Sequence, residues 1–294
     1  MNYEQSREIH SYVRQIEIIT RRLLSGIFSG DHRVRKKGFG LSFDQLREYQ
    51  QGDDIRFIDW KSSARMNKML VKEYFEEKDR SILVCVDISA SMFYGSGKNQ
   101  KIDMIRQIAS ILALVGYYGK DKVGILLFND TIVKYIAPKR SLNHVHAIIK
   151  ELFLVTKKSG KTKLQVVFDF LLQRKKREMI IFLLSDFFDD EYNRLLSLVA
   201  KWYDITVIRC LDYCEYTNLP YVGYVRIHDP ELQKEVIFDT GKNNTKKFHQ
   251  IMKNYLLSQD NQFKRCKVPY ITITVQDDYL AKLVSFFRKR LLFG

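Results

Sequence analysis

From residue 81 onward, short continuous apolar runs alternate with longer segments in which apolar residues recur every three or four positions. The runs Ile82 to Val86 and Met179 to Leu184 are typical of parallel strands that are buried on both faces. The spacing of apolar residues from Ile102 to Val115 predicts a helix that ends near Gly116 to Gly119. This alternation predicts an α/β fold built on a doubly wound, mostly parallel sheet.

The remaining elements follow from the same two patterns. Val123 to Phe128 and Thr131 to Ile136 flank the turn Asn129-Asp130, which indicates a short hairpin. A second hairpin, Tyr221 to Ile227 with Glu235 to Asp239, is predicted within a C-terminal β-hairpin insertion at about residues 216–242. Further strands are predicted at Ile205 to Leu211 and Tyr270 to Val275. Helices are predicted at His144 to Leu154, Leu164 to Leu172, Asn193 to Trp202, Asn243 to Phe263 and Tyr279 to Arg290.

Residues 1–80 are predicted to form an N-terminal extension to a main domain that spans residues 81–294. The opening segment MNYEQSREIHSYVRQIEIITRRLL interrupts its apolar positions with charged residues, which excludes a signal peptide and indicates an amphipathic helix. The rest of the extension is charged and has no long periodic segment, so we expect helical or irregular structure there.

The chain carries a formal net charge of +15 and has a pI of about 9.5. Such a charge suits a nucleic acid, an anionic membrane surface or an acidic protein as a partner. The basic residues are spread along the chain, with short clusters at Arg33 to Lys37, Arg174 to Arg177 and Arg288 to Arg290. Because no aromatic-interleaved RNA-recognition signature accompanies these clusters, no specific nucleic-acid partner is predicted.

No apolar run approaches the roughly 20 residues that a membrane span needs, so the sequence predicts a soluble protein without a transmembrane segment. The cysteines Cys85, Cys210, Cys214 and Cys266 form neither a CxxC pair nor a zinc pattern. Cys85 and Cys210 lie in apolar runs, where we expect them to be small buried hydrophobic residues. These features favour a cytoplasmic, reducing location.

The most informative loop is Asp87-Ile88-Ser89-Ala90-Ser91, which directly follows a predicted buried strand. Its carboxylate and two hydroxyl groups alternate with small or apolar residues, so the three polar groups can converge on one point. A second carboxylate, Asp186, follows another buried strand, and Thr162 opens a helix with a third hydroxyl. Oxygen donors of this kind are the ligands that Mg²⁺ or Mn²⁺ prefers.

A simpler explanation is available for each hydroxyl taken singly, because Ser and Thr before a helix are commonly N-caps. Two carboxylates at one sheet edge, however, repel each other unless a cation lies between them. In a doubly wound sheet, ligands bind beyond the carboxyl ends of the strands, at a topological switch point. The joint pattern therefore favours a metal site formed by Asp87, Ser89, Ser91, Thr162 and Asp186.

The sequence VDISASM, followed by Thr162 and LLSDF, resembles the metal-ion-dependent adhesion site of von Willebrand factor A domains. The five predicted ligands stand in the matching places. The resemblance implies a von Willebrand factor A-like, Rossmann-like sheet and a bound divalent metal that leaves one coordination position for an acidic residue of a partner. It also implies a site that binds and does not turn over a substrate.

The upstream segment GFGLSFDQLREYQQGDDIRFIDWKSSAR, continuing to VKEYFEEKDRSILVCVDIS, resembles the hallmark of a bacterial, MoxR-associated family known as domain of unknown function 58. The likeness covers about Thr20 to Leu211. It implies a MoxR-type AAA+ ATPase as partner, together with other von Willebrand factor A proteins. Two positions depart from the pattern: Lys163 stands where we expect an acidic residue, and Phe187 stands where many A domains have Gly.

The motif REYQQGDDIRFIDWKSSAR combines opposite charges with aromatic residues at high density. Mixed charges predict a salt-bridged network that pins the extension onto the main domain. Because Trp, Tyr and Arg are frequent at binding hot spots, a recognition surface is the alternative. The residues concerned are Arg47, Tyr49, Asp53, Asp54, Arg56, Asp59, Trp60 and Arg65.

Enzymatic motifs are poorly matched. The segment Gly95-Ser96-Gly97-Lys98 lacks the flanking Gly and the Ser or Thr of a phosphate loop, which are replaced by Met92 and Asn99. An aspartyl nucleophile would need a second carboxylate two residues after Asp87, where the chain has Ser89. No G-x-S-x-G elbow occurs.

The sequence therefore predicts a non-enzymatic, metal-dependent adaptor that cooperates with a MoxR-type AAA+ ATPase in chaperone-like assembly or maturation. Two alternatives stay open. The paired aspartates of a basic protein would also suit a metal-dependent phosphoester hydrolase, and the net charge of +15 would suit a binder of nucleic acid or anionic membrane.

Overall fold

The computed structural model describes residues 16, 41–76, 80–97, 99–156, 160–174, 179–189, 192–216, 221–229, 231 and 234–293. The chain divides into two compact units: the smaller is Phe28–Asp79, and the larger combines Met1–Ile27 with Arg80–Gly294. The predicted N-terminal helix lies outside the described residues apart from Ile16, which is helical and buried in a core of the larger unit.

The smaller unit contains two antiparallel strands, which the sequence pattern did not predict. They are β1 (Leu41–Glu48) and β2 (Leu70–Glu76), and between them lie a 3-10 turn, Ile55–Phe57, and helix α1 (Trp60–Met66). Both strands mix charged and apolar residues without strict alternation. Their strand conformation depends on pairing between residues distant in sequence, such as Glu48 and Leu70, which a local pattern does not reveal.

A six-stranded sheet forms the centre of the larger unit. The strands in the larger unit are β3 (Ser81–Asp87), β4 (Lys122–Phe128), β5 (Ile132–Lys139), β6 (Met179–Ser185), β7 (Asp204–Leu211), β8 (Tyr224–Asp229), β9 (Lys234–Asp239) and β10 (Tyr270–Thr274). The central sheet has the order β10-β7-β6-β3-β4-β5, and β8 and β9 form a separate hairpin. All central pairs are parallel except β4 with β5. The predicted doubly wound, mostly parallel sheet is therefore confirmed.

Seven helices of the larger unit lie among the described residues. They are α2 (Lys101–Tyr118), α3 (Leu142–Leu154), α4 (Leu164–Gln173), α5 (Asn193–Trp202), the single turn α6 (Tyr213–Tyr216), α7 (Lys242–Arg265) and α8 (Tyr279–Phe293). Each of the predicted helices from Ile102 onward is found, with ends that differ from the prediction by no more than a few residues.

Neighbouring residues of β3 enter two separate hydrophobic cores, because successive side chains of a strand point to opposite faces of the sheet. Val84 and Val86 pack with α2, α3 and α8, whereas Leu83 and Cys85 pack with α4, α5 and α7. Burial on both faces explains why the strand has a continuous apolar run. Cys85 and Cys210 are fully buried, one in each core, as expected for small hydrophobic residues.

The order in which the chain adds strands to the sheet reverses at β3. From β3 the chain proceeds to β4 and β5 on one side and later returns to β6, β7 and β10 on the other. The loops that follow β3 and β6 therefore open next to each other, which is where ligands bind in sheets of this class. Asp87 is the last residue of β3, and Asp186 directly follows β6, so both carboxylates lie at this switch point.

The predicted C-terminal hairpin insertion is present between α6 and α7. Its strands β8 and β9 pair in antiparallel register and are largely exposed, with Tyr224 at 78% and Ile237 at 70% of their full accessible surface. Among the described residues, no helix combines the length and the apolar character needed to cross a membrane.

Two of the predicted basic clusters fall wholly or partly outside the described residues, at 33–37 and 175–177. Arg174, which is described, lies over the rings of Tyr135 and Phe170 at 4.1 and 4.3 Å from their centroids. Arg290 in α8 forms an ion pair with Asp204. These two arginines therefore contact neighbouring elements of the fold and are not simply solvated.

Candidate metal centre

The five predicted oxygen-bearing residues meet at the carboxyl end of the sheet. Ser91 Oγ donates a hydrogen bond to Asp186 Oδ2 at 3.0 Å, although the two residues are 95 positions apart. Thr162 Oγ1 lies 2.9 Å from Ser89 Oγ, and Ser89 Oγ lies 3.1 Å from Ser91 Oγ. The backbone N–H of Ser89 donates to Asp87 Oδ1 at 2.9 Å. Asp87, Ser89, Ser91, Thr162 and Asp186 thus form one hydrogen-bonded cluster.

The hydroxyl groups of this cluster are directed at one another and not at helix ends. Ser89 is the N-cap residue of a short 3-10 helix, Ala90–Phe93, yet its side chain makes no capping hydrogen bond within the described part of the chain. Thr162 precedes Lys163, the N-cap residue of α4, and its hydroxyl is hydrogen-bonded to that of Ser89. Capping therefore does not explain why these hydroxyls stand here.

Ser185, which the sequence pattern did not single out, connects the two strand ends. Its hydroxyl donates to Asp87 Oδ2 at 2.6 Å and accepts from the backbone N–H of Phe187 at 3.1 Å. The backbone N–H of Phe188 donates to Asp186 Oδ1 at 3.2 Å. Both carboxylates are therefore oriented by hydrogen bonds from the β6 end, and both are fully buried.

Phe187 occupies a backbone conformation that usually favours glycine, with φ at 62°. Such a conformation costs a residue with a side chain about 1–3 kcal/mol. The ring is fully buried and makes edge contacts with Tyr192 and Phe263 at centroid distances of 5.6 and 5.3 Å. Its carbonyl accepts a hydrogen bond from Gln259 Nε2 at 2.7 Å. Core packing thus compensates for the strain of a Phe at this position.

Gly160 allows the loop that carries Thr162 to approach the β3 loop closely. Its carbonyl accepts a hydrogen bond from the N–H of Ala90 at 3.0 Å. A Cβ atom at this position would lie only 2.4 Å from Asn129 Nδ2, which no real contact permits. Lys163, at the position where we expected an acidic residue, is exposed and stands at the start of α4.

Lys101 is a further member of the site that the sequence analysis missed. This first residue of α2 is fully buried, and its Nζ lies 2.9 Å from Asp186 Oδ2 and 2.5 Å from Glu215 Oε1. The sequence did contain a signal for the burial of Lys101. This residue precedes Ile105 and Ile108 by one and two helical turns and so shares their buried face. A cation at a helix N-terminus is opposed by the helix dipole, so the two acids must hold it there.

Glu231, between β8 and β9, is another missed residue. Its Oε1 is hydrogen-bonded to Thr162 Oγ1 at 3.0 Å. The side chain is only partly exposed. No sequence signal predicts this contact, because an acidic residue between two hairpin strands is ordinarily solvated.

Electrostatics at the site are dominated by buried carboxyl groups. Burial and the charge of Asp186 raise the pKa of Asp87 to about 7, against hydrogen bonds from Ser185 and Ser89. Burial also raises the pKa of Glu215, although the nearby ammonium of Lys101 opposes the change.

The same effects act on the other charged groups. Burial raises the pKa of Glu231 against its hydrogen bonds from Ser91 and Thr162, and the charge of Asp186 adds to the rise. Burial would lower the pKa of Lys101, but the charges of Asp186 and Glu215 outweigh burial and raise it. The described part of the site thus contains four carboxyl groups and one ammonium group, which is paired with Asp186 and Glu215, so negative charge is in excess when all four carboxyl groups are ionised.

This donor set fits a hard divalent cation such as Mg²⁺ or Mn²⁺. All donors are oxygens, and the excess negative charge is what such an ion would neutralise. The oxygen–oxygen separations of 2.9, 3.0 and 3.1 Å are the lengths of hydrogen bonds within the cluster, so these oxygens already lie side by side. Among the described residues, no group of three or more His, Cys, Asp or Glu side chains is placed to hold a metal.

Comparison with known proteins identifies the family of this chain. The family model described as "Protein of unknown function DUF58" matches residues 45–255. The chain belongs to the DUF58 family. The uncharacterized protein Rv1480 of Mycobacterium tuberculosis is 24% identical to this DUF58 chain over 283 residues, which is 95% of this chain and 88% of the relative.

Two solved structures are similar to this DUF58 chain at low identity. The conserved hypothetical protein BatB from Bacteroides thetaiotaomicron matches with a TM-score of 0.48 and 13% identity, covering 73% of this chain and all (100%) of that chain. An aerotolerance-related membrane protein from Bacteroides fragilis matches with a TM-score of 0.46 and 12% identity, covering 71% of this chain and 98% of that chain.

In the smaller unit of this DUF58 protein, the charged motif forms turns and caps. Arg47 and Asp53 form a two-pronged ion pair with both N···O distances at 2.6 Å. Asp54 caps the 3-10 turn and binds Arg56, at 2.7 Å. Asp59 caps α1 by accepting hydrogen bonds from two backbone N–H groups, both at 3.2 Å. Local ion pairs of the predicted kind are therefore present within this unit, whereas the pinning of the extension onto the main domain stays a prediction.

The other motif residues are placed differently. The backbone N–H of Tyr49 donates to the carbonyl of Met69 at 2.8 Å, which continues the pairing of β1 with β2. Trp60 is 64% exposed, and Arg65, in the last turn of α1, is also exposed. The recognition role considered for this motif therefore stays a prediction, with Trp60 as its most exposed large aromatic side chain.

Proposed function

We propose that this DUF58 protein is a non-enzymatic, metal-dependent binding protein that captures an acidic side chain of a partner at the carboxyl end of its sheet. The observation that carries the proposal is the meeting of Asp87, Ser89, Ser91, Thr162 and Asp186 in one hydrogen-bonded cluster at the switch point. The excess of carboxyl over ammonium groups gives the cluster the charge of a cation site.

The chain's own residues have separate tasks in this proposal. The hydroxyls of Ser89, Ser91 and Thr162 and the carboxylates of Asp87 and Asp186 would hold Mg²⁺ or Mn²⁺, which supplies a positive centre for an incoming carboxylate. Ser185 orients one carboxylate, and Lys101 orients the other. Because every donor comes from a strand end or a short loop, the arrangement is largely preformed, which lowers the entropic cost of binding.

The partner in this proposal is a MoxR-type AAA+ ATPase, with other von Willebrand factor A proteins as further candidates, and the process is chaperone-like assembly or maturation in the cytoplasm. Support for the partner comes from the resemblance of the motif between β1 and α1, not from the site itself. Support for an acidic ligand comes from the site, since a divalent cation in a cluster of hard donors takes an oxygen anion as a further ligand.

The experiment combines metal binding with capture of the ATPase. Isothermal titration with Mn²⁺ should show one site in the wild type, and binding should be lost in Asp87→Ala. The control Asp130→Ala removes an exposed carboxylate from the turn between β4 and β5 and should bind Mn²⁺ normally. Pull-down of the ATPase should follow the same pattern and should disappear with a chelator.

Two further measurements separate the proposal from its alternatives. Phosphatase and nuclease assays with Mg²⁺ or Mn²⁺ should show no turnover that depends on Asp186; turnover abolished by Asp186→Ala would establish a hydrolase instead. If the protein binds nucleic acid or anionic vesicles, and the affinity falls steeply with salt concentration but does not change when a chelator is added, the alternative of a nucleic-acid or membrane binder is favoured. Equal ATPase capture by the wild type, the chelated protein and Asp87→Ala would defeat metal-dependent docking.

A further inference from the structure

We propose that Glu231 is an internal ligand of the metal centre, so that the chain's own carboxylate holds the place that an acidic side chain of the partner takes during docking. This inference rests on the proposed function and concerns its regulation. An external acid would then bind only by displacing Glu231, and the β8–β9 hairpin would be the element that moves.

The contact itself is specific. Thr162 Oγ1 is hydrogen-bonded to Glu231 Oε1 at 3.0 Å. Thr162 is one of the three hydroxyl donors of the centre and is buried, whereas Glu231 is only partly exposed. The carboxylate of Glu231 therefore occupies a position next to a donor hydroxyl, which an incoming acid would also need.

The placement of Glu231 runs against what its surroundings would otherwise favour. Most described side chains of β8 and β9 are exposed, including Arg226 and Glu235, which pair with each other at 3.4 Å. Glu231 lies between these strands but is directed into a site that already contains the buried Asp186. Like charges at close range repel, and Lys101 is already paired with both Asp186 and Glu215, so a further carboxylate is stable there only if another cation or a proton compensates for it.

The hairpin forms its own two-stranded sheet, separate from the central six strands. Displacing Glu231 therefore breaks no hydrogen bond of the central sheet. The free energy needed to move the hairpin away from the site therefore comes only from the contacts of Glu231 and of the hairpin itself. Such an arrangement is expected of an element that exchanges with an external ligand.

A peptide copied from the hairpin supplies a probe of known chemistry. A fluorescent peptide with the sequence RIHDPELQKEV, which spans Arg226 to Val236, is titrated with full-length protein in the presence of Mn²⁺. We expect Glu231→Gln and Glu231→Ala to bind the peptide about tenfold more tightly than the wild type, because an internal ligand present in most molecules lowers the apparent affinity by that factor. The same peptide with Gln in place of its first Glu should not bind.

Hydrogen exchange provides a second readout that needs no peptide. We expect the β8 and β9 amides to exchange about tenfold faster in Glu231→Gln than in the wild type, because the contact that holds the hairpin at the site is lost. Glu235→Gln is the matched control, since Glu235 lies on the same hairpin, is exposed and pairs with Arg226. This control should match the wild type in both assays.

The outcomes separate the two proposals. If the wild type binds Mn²⁺ but the peptide binds Glu231→Gln no more tightly than the wild type, the internal-ligand role is overturned while the metal centre stands. The internal-ligand role is also overturned if the β8 and β9 amides of Glu231→Gln exchange their hydrogens at the wild-type rate. If no variant and no wild-type sample binds Mn²⁺, the proposed function itself fails.

Discussion

Lys101 Nζ lies 2.9 Å from Asp186 Oδ2, and neither side chain is exposed to solvent. This ion pair places a permanent positive charge beside a carboxylate that the proposed metal centre also requires. Glu215 contacts the same ammonium at 2.5 Å and so joins α6 to the start of α2. A buried pair of this kind keeps its geometry only while both partners are present, because removing one leaves an uncompensated charge.

Replacing Lys101 should therefore destabilise the protein strongly. We expect Lys101→Met to lower the free energy of unfolding by about 3–5 kcal/mol, since Asp186 and Glu215 lose their shared cation in a buried site. Urea denaturation measures the change, with exposed Lys201→Met as the control. The double variant Lys101→Met with Glu215→Gln should recover part of the loss. A loss below about 1 kcal/mol, within the range of exposed pairs, would show that the ammonium is not needed to hold the acids.

Metal binding should stabilise the fold through the hydroxyl donors. At a free Mg²⁺ concentration of about 100 times the dissociation constant, the wild type should gain about 2.7 kcal/mol of unfolding free energy. Thr162→Val, which removes one hydroxyl at nearly constant volume, should weaken metal binding by about tenfold and reduce this gain by about 1.4 kcal/mol. Exposed Thr131→Val is the control. Equal stabilisation of all three proteins would exclude Thr162 from the centre.

Without metal, the stability of the protein should fall as the pH rises through neutrality. The pKa of Asp87 is raised in the folded protein to about 7 from an ordinary value of 3.8, so the folded state holds a proton that the unfolded state releases. Stability from this group is therefore complete below about pH 4 and is lost as the pH rises to about 7; it amounts to at most about 4 kcal/mol. Denaturation in a chelating buffer across this range should show the decline, and Asp87→Asn should flatten it.

Phe187 should contribute more through packing than it loses through backbone strain. In Phe187→Gly, relief of the φ of 62° returns about 1 kcal/mol, whereas loss of a buried aromatic side chain costs about 3–5 kcal/mol. We expect a net loss of about 3 kcal/mol in urea denaturation. Phe188→Ala, at a partly exposed ring, should cost less. A stabilised Phe187→Gly variant would mean that strain, and not packing, dominates at this position.

The charged motif of the smaller unit allows structural and surface roles to be told apart. Asp59→Ala should lower stability by about 1 kcal/mol, because α1 loses its N-cap acceptor. Trp60→Ala should change stability by no more than about 0.5 kcal/mol, because this side chain is 64% exposed. If Trp60→Ala weakens ATPase capture without loss of stability, the motif is a recognition surface; if it leaves capture unchanged, that role is excluded.

Most helices and strands of the larger unit could be predicted from the sequence because each follows from a local pattern of apolar residues. Strands buried on both faces need continuous apolar runs, and helices on the sheet need apolar residues every three or four positions. The carboxyl ends of parallel strands share one edge, so the rule predicts that Asp87 and Asp186 lie at the same edge of the sheet. Their close approach also requires that β3 and β6 are adjacent strands, which the structure shows.

Contacts that depend on tertiary structure could not be predicted in this way. The pairing of β1 with β2 and the contact of Glu231 with Thr162 join residues that no local pattern relates. Lys101 is an intermediate case, since its position on the apolar face of α2 was visible but its partners Asp186 and Glu215 were not. The polar residues that were identified from sequence lie in loops next to predicted strand or helix ends, whereas Lys101 and Glu231 lie outside such positions or lack a local signal for their partners.

The residues of the proposed metal centre are distributed from Asp87 to Asp186, with Glu231 as the proposed internal ligand, so they lie far apart in sequence. During synthesis from the N-terminus, the loop after β3 leaves the ribosome long before β6 supplies the second acid. A nascent or truncated chain therefore has no complete centre, whatever local structure it has already formed. A partner that binds this centre would therefore bind fully synthesised molecules and would not bind fragments.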